Sequence, residues 1–132
     1  MSGMPVDALK AIPLFSGVPD RDLPGVARWL ARREVGAGES MTHQGSGGIG
    51  FFVVESGWAD VFIDGQKIRT LGPGDYFGEV ALLAESTRTA TITSEEGMIC
   101  WGMRAWNFVT MLKHQPTVAE KLLDGMAHQL AS

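Results

Sequence analysis

The first third of the chain has apolar residues at helical spacing. Over residues 5–34 these positions mark one face, formed by Leu23, Val26, Ala27 and Leu30. Asp20 stands where an N-cap would begin this helix, and Gly36 and Gly38 would end it. A shorter helix, from Val6 to Ala11, is predicted before it and is broken by Pro13. This zone therefore predicts two helices before any strand.

From Glu39 to Met103 the pattern changes to short β-type runs separated by glycine. Residues 51–54 and 61–63 are two such runs, each rich in Phe, Val or Ile. Asp64-Gly65 follows, the pair that best fits the positive φ angles of a type I′ hairpin turn. Residues 68–71 then continue the returning strand.

Further along the same zone, turn residues and alternating threonines predict the remaining strands. The segment 71–75 is a turn cluster, because proline fixes one φ angle and the glycines release the next. After an interruption at 78–87, threonine alternates with Ala90 and Ile92 over residues 89–93, which predicts a half-buried strand. Residues 98–101 make the last one.

The end of the chain returns to helical spacing. One helix is predicted from Trp106 to Leu112, and Pro116 opens a second, as proline does at a first helical position. An apolar stripe runs along the second helix through Val118, Leu122, Met126 and Leu130, widened by Leu123 and Ala127. The chain is thus predicted to be a β core flanked by helices.

Composition narrows the class of protein. The chain has 132 residues, 45% of them apolar, which suits one domain with a real core. Its 17 glycines come without a collagen-like repeat and fit many tight turns. The net charge of -4 argues against a nucleic-acid groove. A lone cysteine, and no stretch long enough to span a bilayer, favour a cytoplasmic protein.

Several catalytic and metal motifs are missing. Residues 45–50 match G-x-G-x-x-G but lead into a strand rather than a helix, which predicts a turn and not a dinucleotide site. The three histidines have no metal-ligand spacing, and no G-x-S-x-G elbow is present. Cys100, between Ile99 and Trp101, is expected to be a small buried apolar residue. We therefore expect neither a metal nor an enzyme.

The segment from Gly74 to Thr91 is the most informative. Residues 79–83 are helix formers spanning about one turn, placed after Gly78 and between two strands. The free N–H groups of such a turn attract an anion, and Arg88 is near enough to close over it. Glu79 would repel a phosphate but accept a hydroxyl proton, as from a sugar. A phosphate with a free ribose hydroxyl satisfies both side chains.

A plainer interpretation exists for each residue alone. Glu85 and Arg88 have the i,i+3 spacing of a surface ion pair, and Glu79 could cap helix donors. Glu79 and Arg88 together, between two strands, favour a ligand site.

The segment resembles the phosphate-binding cassette of the cyclic nucleotide-binding domain family, the cAMP receptor/protein kinase A regulatory type. The family pattern F-G-E-x-A-L-L, a short spacer and R-[ST]-A-[ST] is present as residues 77–83 and 88–91. Residues 12–18, 71–75 and the two terminal helices resemble the family's flanking segments. The family often has Gly-Asp where this chain has Gly47-Gly48.

The resemblance implies a mainly β fold, an eight-stranded antiparallel β-roll (a jelly-roll-like double-stranded β-helix) with N-terminal helices and C-terminal B and C helices. It implies that Glu79 accepts the ribose 2′-hydroxyl of a cyclic nucleotide and that Arg88 pairs with the phosphate. The remaining ligand-binding residues it implies are Gly78, Val80, Ala81, Leu82, Thr89 and Ala90.

The expected function is that of a cyclic nucleotide sensor that signals through its C-terminal helix. We expect cAMP, with cGMP as the alternative because Thr89 follows the cassette arginine. The expected domain is residues 1–132, divided into helices (1–36), roll (37–103) and helices (104–132). A homodimer through the C-terminal helix, or an effector protein, is the expected partner. Two alternatives are the sensor half of a Crp-like transcription factor without its DNA-binding domain, and a degenerate interaction scaffold.

Overall fold

The computed structural model describes residues 3–42, 50–78 and 91–131, with only the backbone described at 41–42 and 125–131. Three short helical segments come first: α1 (Val6–Lys10), a 3-10 helix (Pro13–Phe15) and α2 (Leu23–Arg28). The predicted break at Pro13 is confirmed, since that proline begins the 3-10 helix.

The prediction of a long N-terminal helix is wrong at both ends. Helix α2 follows Asp22, while Asp20 instead forms an exposed ion pair with Lys10 at 2.9 Å. The helix ends at Arg28, and Ala31–Val35 form a strand, β1, that pairs antiparallel with a later strand along its whole length. Tertiary pairing therefore overrides the helix propensity of this charged segment, and the boundary predicted at residue 36 falls after the first strand.

The described residues contain eight strands in two four-stranded sheets, and the strand pairs within these residues are antiparallel. The first sheet has the order β1-β8-β3-β6 and the second the order β2-β7-β4-β5. Beyond β1, the strands are β2 (Glu39–Thr42), β3 (Gly50–Gly57), β4 (Ala59–Ile63), β5 (Gln66–Leu71), β6 (Tyr76–Phe77), β7 (Thr91–Ser94) and β8 (Met98–Arg104). The predicted β-roll with flanking helices is confirmed.

Turn chemistry explains the best-predicted hairpin. Asp64 and Gly65 have φ angles of 52° and 78°, as a type I′ turn requires, and they join β4 to β5. The alternating-threonine strand is also confirmed where it is described. Ile92 is buried there, and the flanking Thr91 and Thr93 are half-buried.

The strand β3 separates two apolar cores. Phe51 and Val53 face a core shared with the helices, whereas Phe52 and Val54 face a second core between the sheets. Both faces of the strand are buried, which explains its unbroken apolar run. We call the first the helical core and the second the roll interior.

Two helices complete the chain: α3 (Ala105–His114) and α4 (Pro116–Ala131). Val118 and Leu122 are buried as predicted, but Leu123 is 61% exposed and does not widen the buried stripe. Leu123 lies one helical step beyond Leu122, about 100° around the axis, and so turns away from the helical core. Met126, Ala127 and Leu130 have no described side chains.

Helix α4 is fastened to the N-terminal 3-10 helix. The Nζ of Lys121 donates to the carbonyl oxygen of Pro13 at 2.7 Å and to the Oγ of Ser16 at 2.6 Å. A Cβ added at Gly17 would lie 3.3 Å from the Cβ of Thr117, so glycine allows this close approach. The 3-10 helix and the first turns of α4 are thereby held together. Within the described ranges, no helix is long and apolar enough to cross a membrane.

Candidate functional site

The segment leading into the predicted cassette is held on β3 by a tight turn. The N–H of Asp75 donates to the carbonyl oxygen of Gly72 at 3.0 Å, and the Asp75 carboxylate accepts from the N–H of Gly72 at 2.8 Å. Pro73 and Gly74 occupy the corners, and Gly74 has the positive φ, 89°, that a type II turn needs at its third position. Backbone hydrogen bonds of 2.8 Å join both Gly74 and Asp75 to Val54.

The two residues of β6 contact different cores. Phe77 points into the roll interior, where its ring stacks on Phe52 with centroids 5.1 Å apart. Tyr76 points the other way and packs against the helical core, with its ring 5.8 Å from that of Phe51. Phe51 in turn stacks on Phe108 of α3 at 4.7 Å. The strand that leads into the predicted cassette is therefore packed against both the roll interior and the helical core.

Gly78 follows β6 and is the one predicted ligand-binding residue within the described ranges. Its φ angle is 99°, in the region that L-residues rarely adopt, so glycine is required by the backbone here. The other predicted ligand-binding residues, Glu79, Val80, Ala81, Leu82, Arg88, Thr89 and Ala90, lie outside the described residues, as do the Gly45–Gly50 turn up to residue 49 and the pair Glu85–Arg88.

The chain re-enters the described structure at β7, in the other sheet. Thr91 and Ile92 pair with Phe62 and Val61 of β4, and Ile92 also pairs with Thr42 of β2. Strand β6 belongs to the first sheet and β7 to the second. The predicted cassette thus begins at an edge strand of one sheet and ends at an inner strand of the other.

The apolar residues of the roll interior pack against these two strands. Its buried members are Val35, Phe52, Val54, Ala59, Val61, Leu71, Phe77, Ile92, Met98 and Cys100. Most of them were not singled out from the sequence as part of the site, although the alternation of inward and outward residues along β3, β4 and β7 carries that signal. Apolar packing in the roll interior thus fixes the two strand ends that border the predicted cassette.

Cys100 lies fully buried in this interior, which confirms its predicted apolar role. Burial raises the pKa of its thiol to about 11, and the charge of Arg33 acts weakly in the opposite direction. A thiol in this state is a poor nucleophile at neutral pH.

The buried carboxylate of Asp60 has a structural role. Its Oδ1 accepts a 2.8 Å hydrogen bond from the Oγ1 of Thr70 and lies 3.3 Å from the Nζ of Lys67. Both partners are on β5, so this group ties β5 to β4. Among the described residues no cluster of three His, Cys, Asp or Glu side chains is found, and the expected lack of a metal stays a prediction.

Comparison with known proteins gives a consistent picture. The family model for the cyclic nucleotide-binding domain matches residues 32–115, more than half of the chain, from β1 to the end of α3. The cAMP-dependent protein kinase regulatory subunit of Yarrowia lipolytica is 28% identical over 117 residues, which are 89% of this chain and 31% of that protein. The chain therefore spans about a third of the length of this curated relative.

Two solved structures share the fold. The regulatory domain of Toxoplasma gondii PKA, crystallised with cAMP, has a TM-score of 0.82 and 25% identity, over 94% of this chain and 48% of that one. The catabolite activator protein of Thermus thermophilus has a TM-score of 0.81 and 28% identity, over 90% of this chain and 58% of that one. With the matched roll and the cassette pattern, these likenesses show that the chain belongs to the cyclic nucleotide-binding domain family, of the cAMP receptor and protein kinase A regulatory type.

Proposed function

We propose that this chain is a cyclic nucleotide sensor that binds cAMP in the segment 77–91. Arg88 pairs with the cyclic phosphate, and Glu79 accepts the ribose 2′-hydroxyl. The amides of Gly78, Ala81 and Ala90 and the hydroxyl of Thr89 donate to the phosphate, while Val80 and Leu82 complete the ligand-binding segment. The pairing of a guanidinium with an anionic phosphate is charge-assisted, and each such hydrogen bond contributes about 1.5–3 kcal/mol.

The observation that carries this proposal is the position of Gly78. Its positive φ angle directly precedes Glu79, at the end of a strand held from both sides by Phe52 and Phe51. A positive φ at a glycine is a feature of the backbone nests that bind anions. The cAMP bound in related structures supports cAMP over cGMP, and Thr89 keeps cGMP as the alternative.

The signal leaves through the C-terminal helices. Tyr76, next to the cassette, contacts Phe51, and Phe51 stacks on Phe108 of α3. Helix α4 follows α3 after the single linking residue Gln115. Tilting a two-state equilibrium from 1:99 to 99:1 takes about 5.5 kcal/mol of differential affinity, which two or three charge-assisted hydrogen bonds supply. The chain acts as a regulatory module and not as a catalyst.

Calorimetry with cAMP, cGMP and 5′-AMP tests the proposal. We expect cAMP to bind with a dissociation constant well below about 1 mM and 5′-AMP much more weakly, because the acyclic phosphate carries a second charge and a different shape. Hydrogen exchange of the α4 amides should change on addition of cAMP. If neither cyclic nucleotide binds, the sensor function is wrong; if cAMP binds and α4 exchange is unchanged, the route through α3 is wrong.

A homodimer is the second part of the proposal, and exposed apolar side chains support it. Trp106 and Val109 of α3 are 82% and 42% exposed, and Leu123 of α4 is 61% exposed. We infer that these helices form the interface, and the likeness to a catabolite activator protein keeps the sensor half of a Crp-like transcription factor as the alternative. Sedimentation of the wild type and of Leu123→Asn, with and without cAMP, tests it. A monomer under all conditions contradicts the homodimer and favours an effector protein.

A further inference from the structure

A cavity of about 520 Å³ lies between α2 and the C-terminal end of α3. Its lining comes from residues 21–29 and 111–115, so it contains no residue of the segment 77–91. Its volume falls in the range of small-molecule sites. It is therefore a second concave surface, separate from the cassette.

The inner part of this cavity is apolar. Met111 and Val26 are buried, with 0% and 3% of their surfaces exposed, and line it together with the half-buried indole of Trp29. Gln115, 6% exposed, adds a buried amide to the same wall. A thioether, an indole and a branched side chain form a surface that suits a flat apolar body.

The outer part is cationic. Arg21, Arg28 and His114 line it, and all three are exposed. Within the described ranges, none of these three side chains forms an ion pair or a side-chain hydrogen bond. Their donors are thus available to a ligand, on a chain whose net charge is -4. Guanidinium groups bind carboxylates through two parallel hydrogen bonds.

Two features limit the charge that this surface accepts. Asp22 also lines the cavity, so its carboxylate and the two arginines together carry a net charge of about +1. Met111, His114 and Gln115 come from the last turn of α3 and the residue after it, where the carbonyl end of the helix dipole disfavours further negative charge. A monoanion fits this balance better than a phosphate dianion.

From these observations we propose that the cavity between α2 and α3 is a second ligand site, for an organic monocarboxylate with a flat apolar body. The carboxylate pairs with Arg21 and Arg28, and the apolar body lies on Trp29 and Met111. The site goes beyond cyclic nucleotide binding and does not depend on it.

The test uses 2-naphthoate as the probe and its neutral isostere 2-naphthamide as the ligand control. Binding is followed in ¹⁵N-labelled protein by the shift of the Trp29 indole N–H signal, which is assigned with the variant Trp29→Phe. We expect 2-naphthoate to bind with a dissociation constant of about 1 mM or lower and 2-naphthamide at least about tenfold more weakly. Equal affinities for the two probes, or no shift of Trp29, would overturn the proposal.

Variants separate the charged rim from the cavity itself. Arg21→Gln and Arg28→Gln should each weaken 2-naphthoate binding about tenfold or more, whereas Arg69→Gln, an exposed arginine of β5 outside the cavity, should not. Gly25→Phe keeps every charge but places a ring at a helix position with nothing within 4 Å of its Cβ, and should block the cavity.

Added cAMP distinguishes this site from the cassette. Saturating cAMP should leave 2-naphthoate binding in place, and Gly25→Phe should bind cAMP like the wild type. Displacement of 2-naphthoate by cAMP, or full 2-naphthoate binding by both Arg28→Gln and Gly25→Phe, shows that the probe binds elsewhere and overturns the proposal. If the wild type does not bind cAMP, the sensor function is contradicted, but the second ligand site is not.

Discussion

The ring of Phe51 in β3 stacks on the ring of Phe108 in α3, with centroids 4.7 Å apart and an angle of 21° between the planes. Phe51 also contacts Tyr76, the second residue before Gly78, with ring centroids 5.8 Å apart. Three aromatic rings thus run from the entrance of the cassette to the first C-terminal helix. Such side chains are stiff, so displacement of one ring moves its neighbours rather than being absorbed locally.

Replacement of Phe108 by leucine tests this contact. Phe108→Leu keeps an apolar side chain but removes the ring stacking, and we expect the free energy of unfolding to fall by about 1–2 kcal/mol in urea titrations. The cAMP-dependent change in α4 amide exchange should shrink as well. Phe15→Leu is the matched control, since Phe15 is equally buried in the helical core but outside the three rings. Equal exchange responses in the two variants would contradict a route through Phe108.

Gly78 should be intolerant of a side chain. At a φ angle of 99° an alanine is strained by about 1–2 kcal/mol. Gly78→Ala should therefore either lower the affinity for cAMP about 5- to 30-fold or lower the free energy of unfolding by about 1–2 kcal/mol. Gly72→Ala is the control, because nothing lies within 4 Å of its Cβ and its φ is ordinary. Calorimetry and urea unfolding of both variants measure the two effects. Wild-type behaviour of Gly78→Ala in both would rule out the backbone requirement.

Lys121 should hold α4 against the 3-10 helix. Lys121→Met removes its hydrogen bonds to Pro13 and Ser16, and because the ammonium is partly solvated we expect a loss of about 1 kcal/mol in stability. Amide exchange in the first turns of α4 should accelerate. The control is Lys113→Met, an exposed lysine of α3. Unchanged exchange in Lys121→Met would mean that apolar packing alone positions the helix.

The raised pKa of the Cys100 thiol predicts a loss of stability at alkaline pH. The ordinary thiol pKa of 9.0 applies to the unfolded chain, whereas burial raises the pKa to about 11 in the folded one. Between these values the unfolded state gains by ionising, so the free energy of unfolding should fall by about 1.4 kcal/mol per pH unit from pH 9 to pH 11 and be unaffected below that range. Cys100→Ala is the reference, because it removes the thiol and keeps every other ionisable group. Parallel curves for the two proteins would show that the thiol is not responsible.

Local turn chemistry made much of the fold predictable from the sequence. Asp64-Gly65 determines a hairpin because few other pairs tolerate two positive φ angles. Pro73 and Gly74 likewise predict the turn that leads to the site. Glu79 and Arg88, which we propose to carry the ligand chemistry, are predicted from their residue types and their spacing, and both lie outside the described residues.

The parts that could not be predicted depend on tertiary contacts. In β1, Arg32 and Glu34 lie on one face of a strand and form an ion pair at 2.9 Å, although both residues favour helices. The opposite orientations of Tyr76 and Phe77 belong to a two-residue strand, which is too short to show periodicity. The cavity at Trp29 forms between helices that are distant in sequence, so no local pattern indicates it.

The affinity of cAMP for Arg88→Ala, compared with the wild type and with Arg69→Ala in one calorimetric series, tests the central claim most directly. We predict that the wild type and Arg69→Ala bind cAMP alike. Arg88→Ala should bind at least about 100-fold more weakly, because it loses two or more charge-assisted hydrogen bonds to the phosphate. Equal affinities of Arg88→Ala and the wild type would contradict the site, and no binding by the wild type up to about 1 mM would contradict the function.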